Sequence, residues 1–553
     1  MRHLRGEDTV SFFLPGEPDP LDRPWCHVDN ATLSASAHPL LTHDVLCDQT
    51  GKSLREFVVN LRNDSHALER IAGPLSYLHH NVLRETIVAA NDSLGIGKLY
   101  YATSGESTIV SNNPLAVALA RQCAAVQDDE FWDAYYVTGG GLGDTSFIRG
   151  VTLAPPGSVL IVSQQGLAIR EHHSVKRLLQ QARRDPPAPR TALSAARAFV
   201  EELRPHLDSA TLWLSGGLDS RLVTALALDT GLPVNAHTYV PPELEGQIAR
   251  ELHERAEHRY SWGQHTVNPG TVRQDARQPQ SIELRPDPIL VRAEAWFTYL
   301  GGDHWSSLVK SNPPSNAMPL ASTFTLSGSH GDVTRGHYYG HSDVEIGAPE
   351  AALRRFLQSF TQYRAVLPKD LRERGSQLVR NALLEGMVEG FEGFYALDYM
   401  YLMNRVRRQF PPVHPAVILP LLVPEILTST FWQPPREKVS AAVIRQWTNE
   451  LMPSWRGVRY YHEAADGTDP AITNKVSVQS TYWETDETDF YAAMDAALTE
   501  TGIVDVTMDD VRRELRSMPE GRNRTNQTCE FIFWHCAATR VLQRLNKVRA
   551  DHP

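Results

Sequence analysis

From Thr211 to Leu228 the chain reads Thr-Leu-Trp-Leu-Ser-Gly-Gly-Leu-Asp-Ser-Arg-Leu-Val-Thr-Ala-Leu-Ala-Leu. Ser215, Gly216, Gly217, Asp219 and Ser220 are the residues in it that can do chemistry. Adjacent glycines let backbone N–H groups converge on an anion without interference from Cβ atoms, and the serine hydroxyls add donors. A carboxylate at Asp219 would repel a bare phosphate, so its presence points to a divalent cation riding on the phosphate chain. The Gly-Lys-Ser/Thr of a Walker-type loop does not occur here.

The stretch Phe324-Thr-Leu-Ser-Gly-Ser-His-Gly-Asp-Val-Thr-Arg-Gly-His-Tyr-Tyr-Gly-His341 again carries an apolar run into a glycine turn, with Asp332 four residues after Gly328. His330 lies inside that turn. An imidazole suits a base acting on an attacking amine near neutral pH, and a hydrogen-bonded structural histidine fits the position equally well. Arg335 can neutralise phosphate or sit as a solvated helix residue. His337 and His341 have the spacing of two zinc ligands on one helix face, but no third ligand follows at a matching interval.

The elements that must hold these residues can be read from periodicity. Leu212 to Leu214 is a short apolar strand, and Leu222, Val223, Leu226 and Ala227 recur at helical spacing, giving strand, tight loop and helix. A preceding helix is expected from Thr191 to His206. Further strands are expected at Val234–Val240 and Tyr260–Val267, with a helix from Glu243 to His258 between them. This alternation predicts an α/β unit with a parallel sheet whose ligands gather at the carboxyl ends of its strands. Residues 1 to 170 read as strand-rich, with β-type runs at Phe57–Leu61, Thr86–Ala90, Leu99–Ala102 and Ser158–Ser163. Helices are expected from Ala351 to Arg408 and from Val439 to Leu451, and a helical tail from Glu484 onward caps the second unit.

The Ser-Gly-Gly-Leu-Asp-Ser string resembles the pyrophosphate-binding loop of the N-type ATP pyrophosphatases, the group that includes asparagine synthetase, β-lactam synthetase and the GMP and NAD synthetases. The resemblance implies cleavage of ATP between its α and β phosphates. It also assigns Leu214, Ser215, Gly216, Gly217, Asp219 and Ser220 to nucleotide binding. Ser327 to Asp332 is similar to the Ser-Gly-x-Gly-Ala-Asp element of asparagine and β-lactam synthetases, with His330 in place of a glycine. That similarity adds Gly328 to the nucleotide site and pairs Asp332 with Asp219 on Mg²⁺. Phe410-Pro-Pro to Leu422 resembles the family turn on the acceptor side. A family lysine that stabilises the acyl-adenylate corresponds to Lys475 or, as second choice, Lys438.

Upstream, Gly73-Pro-Leu-Ser-Tyr77, Ala90-Asn-Asp-Ser-Leu-Gly95, Leu99-Tyr-Tyr-Ala102 and Pro156-Gly157 together look like the N-terminal-nucleophile (Ntn) glutaminase domain of asparagine synthetase. Glutamine-hydrolysing relatives place a cysteine directly after the initiator methionine, and this chain has Arg2 there. The domain is therefore expected to be a silent scaffold, and the acceptor amine to come from somewhere other than glutamine. The resemblance implies an α/β architecture: a degenerate Ntn-hydrolase-like domain over 1–182, a proline-rich linker over 183–191, and a PP-loop ATP pyrophosphatase domain with a helical C-terminal part over 192–553. The expected activity is a carboxylate–amine ligase similar to the lasso-peptide macrolactam synthetases. Its cofactors would be ATP and Mg²⁺, and its substrates a small molecule or precursor peptide bearing the acid and amine, alongside a pathway protease or carrier. An ammonia-dependent asparagine synthetase and a non-catalytic nucleotide-binding relative are the alternatives.

Composition sets the remaining bounds. A chain of 553 residues has room for about two to four domains. A formal charge of −11 with scattered basic residues disfavours broad nucleic-acid binding. The five cysteines show no CxxC spacing, so neither a disulfide framework nor a zinc knuckle is expected. No apolar run reaches the length of a membrane span, and a cytoplasmic location is expected.

Overall fold

The structure is a computed structural model. Its described residues are 25–28, 32–36 and, apart from short breaks, 73–266, 287–303, 324–409, 417–465 and 487–551. Strand, sheet and helix combine into a mixed α/β architecture with one parallel and two antiparallel sheets.

The antiparallel sheets come from the first part of the chain. One runs in the order β1 (Trp25–Val28), β2 (Thr32–Ser36), β3 (Ser76–Asn81), β4 (Thr86–Asn91), β8 (Ser158–Ser163) and β9 (Gly166–Glu171). The other runs β6 (Ser107–Ser111), β5 (Tyr100–Ser104), β7 (Thr152–Leu153). Leu78, Ala89, Leu99, Ala154 and Leu160 form a buried apolar cluster that joins residues of both sheets. The expected strands at Thr86–Ala90, Leu99–Ala102 and Ser158–Ser163 are present within a residue or so, and Phe57–Leu61 lies outside the described residues. Asp92, within the Ala90-Asn-Asp-Ser-Leu-Gly95 stretch, is buried. Its carboxylate accepts the N–H groups of Leu75 at 2.9 Å, Leu94 and Ile96 at 3.1 Å, and Gly97 at 2.7 Å. One side chain thus satisfies backbone donors from two segments that no sheet pairs.

The parallel sheet has the order β12 (Ser261–Thr266), β11 (Val234–Val240), β10 (Ala210–Trp213), β13 (Phe324–Leu326), β14 (Val417–Ile418). Every neighbouring pair in it is parallel. From β10 the chain proceeds outward on one side through β11 and β12, then returns to the other side for β13 and β14. The strand order therefore reverses between β10 and β13, which is where a crevice opens in sheets of this kind.

Helix Leu218–Asp229 follows β10 and is buried along nearly its whole length, so its apolar residues go all round rather than on one stripe. It ends in a Schellman motif: Gly231 is left-handed at φ 71°, Leu232 N–H donates to the Ala227 carbonyl at 3.0 Å, and Gly231 N–H donates to that of Leu228 at 3.3 Å. Its core is shared with helices Pro189–Leu203, Glu243–Arg255 and Ala442–Leu451, through residues such as Phe199, Ile248, Leu252 and Trp447. The helical run expected from Ala351 to Arg408 is present as Pro349–Gln362, Lys369–Val388, Phe394–Met400 and a π-helical turn at Tyr401–Val406.

Three sequence expectations change on folding. The proposed linker is held down: helix Pro189–Leu203 begins inside it, Arg183 lies over the Trp432 ring at 5.1 Å, and its guanidinium donates to the Gly390 carbonyl at 2.9 Å. The tail does not cap the second unit alone. Phe531, Trp534 and His535 of helix Pro519–Asp551 pack on Tyr135, Phe297 and Trp132, because the apolar patch needs a large aromatic surface and the first part of the chain supplies it. His337 and His341 do not share a helix. Helix His341–Ile346 begins only at the second of them, and among the described residues no group of three or more His, Cys, Asp or Glu side chains is placed to hold a metal ion. Among the described residues no helix is long and apolar enough to cross a membrane.

Candidate functional site

In-register pairing brings the two loops together. Leu212 of β10 lies opposite Leu326 of β13, so Ser215–Gly217 and Ser327–Gly331 leave the sheet side by side at the reversal point. The approach is close enough to require glycine. A Cβ on Gly328 would come within 2.7 Å of the Asp219 carbonyl carbon and the Ser220 nitrogen, and one on Gly331 within 2.3 Å of the Asp219 carboxylate.

The first loop is tied by its own hydroxyls. Ser220 Oγ accepts the Ser215 N–H at 3.1 Å and lies 2.9 Å from Ser215 Oγ, which accepts the Gly217 N–H at 3.1 Å. Gly217 stands at the N-cap of helix Leu218–Asp229 and no side chain caps it, so the helix presents its N-terminal donors and the positive end of its dipole toward the crevice. A strap from the C-terminal half closes one side: Tyr461 N–H donates to the Gly216 carbonyl at 2.8 Å. Arg221, almost fully buried, secures that strap by donating to the carbonyls of Val458 at 2.8 Å and Arg459 at 2.9 Å, with its guanidinium over the Tyr460 ring.

Asp219 and Asp332 meet. One nitrogen of Arg335, Nη2, lies 2.6 Å from Asp219 Oδ2 and 2.5 Å from Asp332 Oδ1, while His337 Nδ1 lies 3.1 Å from Asp332 Oδ2. The π-helical turn brings Tyr401 to the same carboxylate, its hydroxyl 3.5 Å from Oδ2. The two acids are not equivalent. Burial pushes Asp219 up to about 7, against the opposing pull of Arg335. Burial would raise Asp332 too, but the His337 hydrogen bond and the Arg335 charge outweigh it and hold that carboxyl at about 2. The two carboxylates share one guanidinium between them, and Asp219 Oδ1 is buried without a hydrogen-bond partner. Both features fit a divalent cation held by the pair.

The remaining candidates fall differently. His330 is left-handed at φ 67° and buried, and burial pushes its imidazole down to about 3. A base that weak is poorly matched to proton abstraction at neutral pH. Lys438 is remote in role: fully buried, it pairs with Asp398 at 2.6 Å, and Tyr339 donates to the same Asp398 oxygen at 3.0 Å. Lys475 lies outside the described residues. The sequence reading left Arg335 open between a phosphate partner and a solvated helix residue, and it missed Arg221 and Tyr401 altogether. A lone arginine three residues past an acid was the available signal for the first, and the other two had none.

No protein-family model and no curated protein matches this sequence.

Proposed function

We propose that this chain activates a carboxylate with ATP and transfers the acyl group to an amine. The observation that carries this reading is the meeting of Asp219 and Asp332 at the strand-order reversal of a parallel sheet, beside a glycine loop that opens a helix. In this reading residues 192–553 form a PP-loop ATP pyrophosphatase domain and residues 1–182 a degenerate Ntn-type scaffold.

The uncapped N–H groups after Gly217 bind the β and γ phosphates, and Ser215 and Ser220 turn their mutual hydrogen bond toward phosphate oxygens. Gly328 and Leu214 shape the floor beneath the nucleotide. Asp219 and Asp332 would hold Mg²⁺, which would neutralise charge on the departing pyrophosphate. The acid's oxygen attacks the α-phosphorus, the bond to the bridging oxygen breaks, and pyrophosphate leaves with its charge distributed over these donors. The amine then attacks the acyl carbon, loses its proton to solvent or a neighbouring base, and expels AMP. His330 holds the turn rather than taking that proton, and Lys475 is assigned to stabilise charge as AMP departs. In this reading the amine is carried by a small molecule or by a precursor peptide, as in macrolactam formation.

Binding of Mg²⁺ with α,β-methylene-ATP, followed by calorimetry, tests the nucleotide site without knowledge of the acid. Asp219→Asn and Asp332→Asn should each weaken it by about 100-fold, the scale of losing a charge-stabilising group. ATP–pyrophosphate exchange over a panel of carboxylates and peptides then reports activation. Unchanged nucleotide binding in both variants overturns the reading, whereas asparagine formed from aspartate and free ammonia would replace the substrate class.

A further inference from the structure

The cation position between Asp219 and Asp332 already holds a cation of the protein's own. Arg335 Nη2 contacts one oxygen of each acid, at 2.6 and 2.5 Å, which is the bridging role a divalent ion would take. The guanidinium is not locked in. Its side chain is 27 % exposed, its Nε is buried without a partner, and its backbone ends a short 3-10 turn, Gly331–Thr334, by donating to the Asp332 carbonyl at 3.0 Å. Side-chain rotation alone can therefore move the head group out while the turn stays in place. Arg221 nearby is held harder: its Nε is likewise buried without a partner, but its guanidinium donates to two backbone carbonyls and carries an aromatic ring on its face.

We propose that Arg335 is a displaceable counterion that stands in the metal position between Asp219 and Asp332 and yields it when the divalent cation arrives with its nucleotide. This rests on the reading of Asp219 and Asp332 as metal ligands. Without a counterion two adjacent carboxylates repel each other, so Arg335 keeps the crevice assembled between turnovers. With one, free metal must compete against an intramolecular charge pair and binds weakly. Metal bound to a triphosphate arrives with anionic oxygens that accept the displaced guanidinium, so metal and nucleotide bind with positive coupling.

Mn²⁺ binding to the full chain, followed by electron paramagnetic resonance, tests this with and without α,β-methylene-ATP. Arg335→Gln should bind Mn²⁺ alone at least about tenfold tighter than the unaltered protein, as expected when the competent state rises from a tenth or less of the population to nearly all of it. The tightening produced by α,β-methylene-ATP should shrink in the same variant. Arg335→Gln that keeps its circular dichroism and melting behaviour yet binds Mn²⁺ no tighter overturns the proposal. If that variant does not fold, Arg335→Lys decides: a shorter, more strongly hydrated cation should hold the pair less well and raise Mn²⁺ affinity several-fold, and an unchanged affinity overturns the proposal. Asp219→Asn separates the two readings. Loss of Mn²⁺ binding there, without a gain in Arg335→Gln, sinks the counterion alone, while Mn²⁺ binding unaffected by Asp219→Asn removes the metal site itself.

Discussion

Two clusters of buried charge in this protein use the same side-chain types to opposite ends. At the joint between the antiparallel sheets and the helical region, one carboxylate meets two cations. Asp303 Oδ2 lies 3.4 Å from Lys98 Nζ and 2.8 Å from Arg408 Nη1, and it accepts the Tyr100 hydroxyl at 2.6 Å. Asp303 is 1 % exposed. Burial would raise its pKa, and the two cations hold it well below the usual carboxylate range instead. In the crevice two carboxylates share one guanidinium, with Arg405 and His337 acting on Asp332 alone. There burial prevails at Asp219 and raises it to about 7. Two cations on one carboxylate hold it ionised and close the cluster, while a buried acid left poorly compensated beside an open loop leaves room for a cation from outside.

Mutations can break or sharpen that contrast. The largest effect is expected at the joint: Asp303→Ala leaves Lys98 and Arg408 buried without their anion and should cost about 3–5 kcal/mol in urea unfolding. Lys438→Met, which strands Asp398 beside Tyr339, should cost about 3 kcal/mol and leave α,β-methylene-ATP affinity of the folded protein unchanged, as befits a structural pair. Gly331→Ala drives a methyl group into the Asp219 carboxylate. It should cost about 1–3 kcal/mol of stability and abolish nucleotide binding together.

The smallest stability effect is expected for Asp219→Asn. Because the folded-state pKa of Asp219 is raised from 3.8 to about 7, the native state binds more protons than the unfolded chain between those values, and this residue makes stability fall as pH rises through that window. The asparagine variant, which mimics the protonated acid, should therefore show a flatter melting-temperature profile, close to the unaltered protein near pH 4 and above it near pH 7, a window set by the raised pKa. If Asp219→Asn instead destabilised the protein as severely as Asp303→Ala, the two clusters would not differ in kind.

Much of the parallel sheet was legible beforehand because its signals are local. β11 occupies the expected Val234–Val240, and the loop strand and helix fall where apolar spacing and two glycines place them. β14 was missed since two residues, Val417 and Ile418, carry no periodicity of their own. The tail was read only in part, as a cap on the second unit without its contacts to Trp132 and Tyr135, for a related reason: an apolar run announces that it will be buried and says nothing about which surface will bury it. Lys438 looked like any surface lysine or a catalytic one, and only its 2.6 Å contact with Asp398 marks it as neither.

The sequence by itself determined the two acid-bearing glycine loops, the strand–loop–helix that carries the first, and the α/β character of the second half. Those depend on neighbours within a turn or a strand, where residue type dictates conformation directly. Tertiary structure alone decided that Arg335 stands between Asp219 and Asp332, 113 positions apart by subtraction of their numbers, and that Asp303 meets Lys98 and Arg408 at the joint. Strand order and register set those distances, and both follow from packing summed over the whole sheet rather than from any stretch of chain.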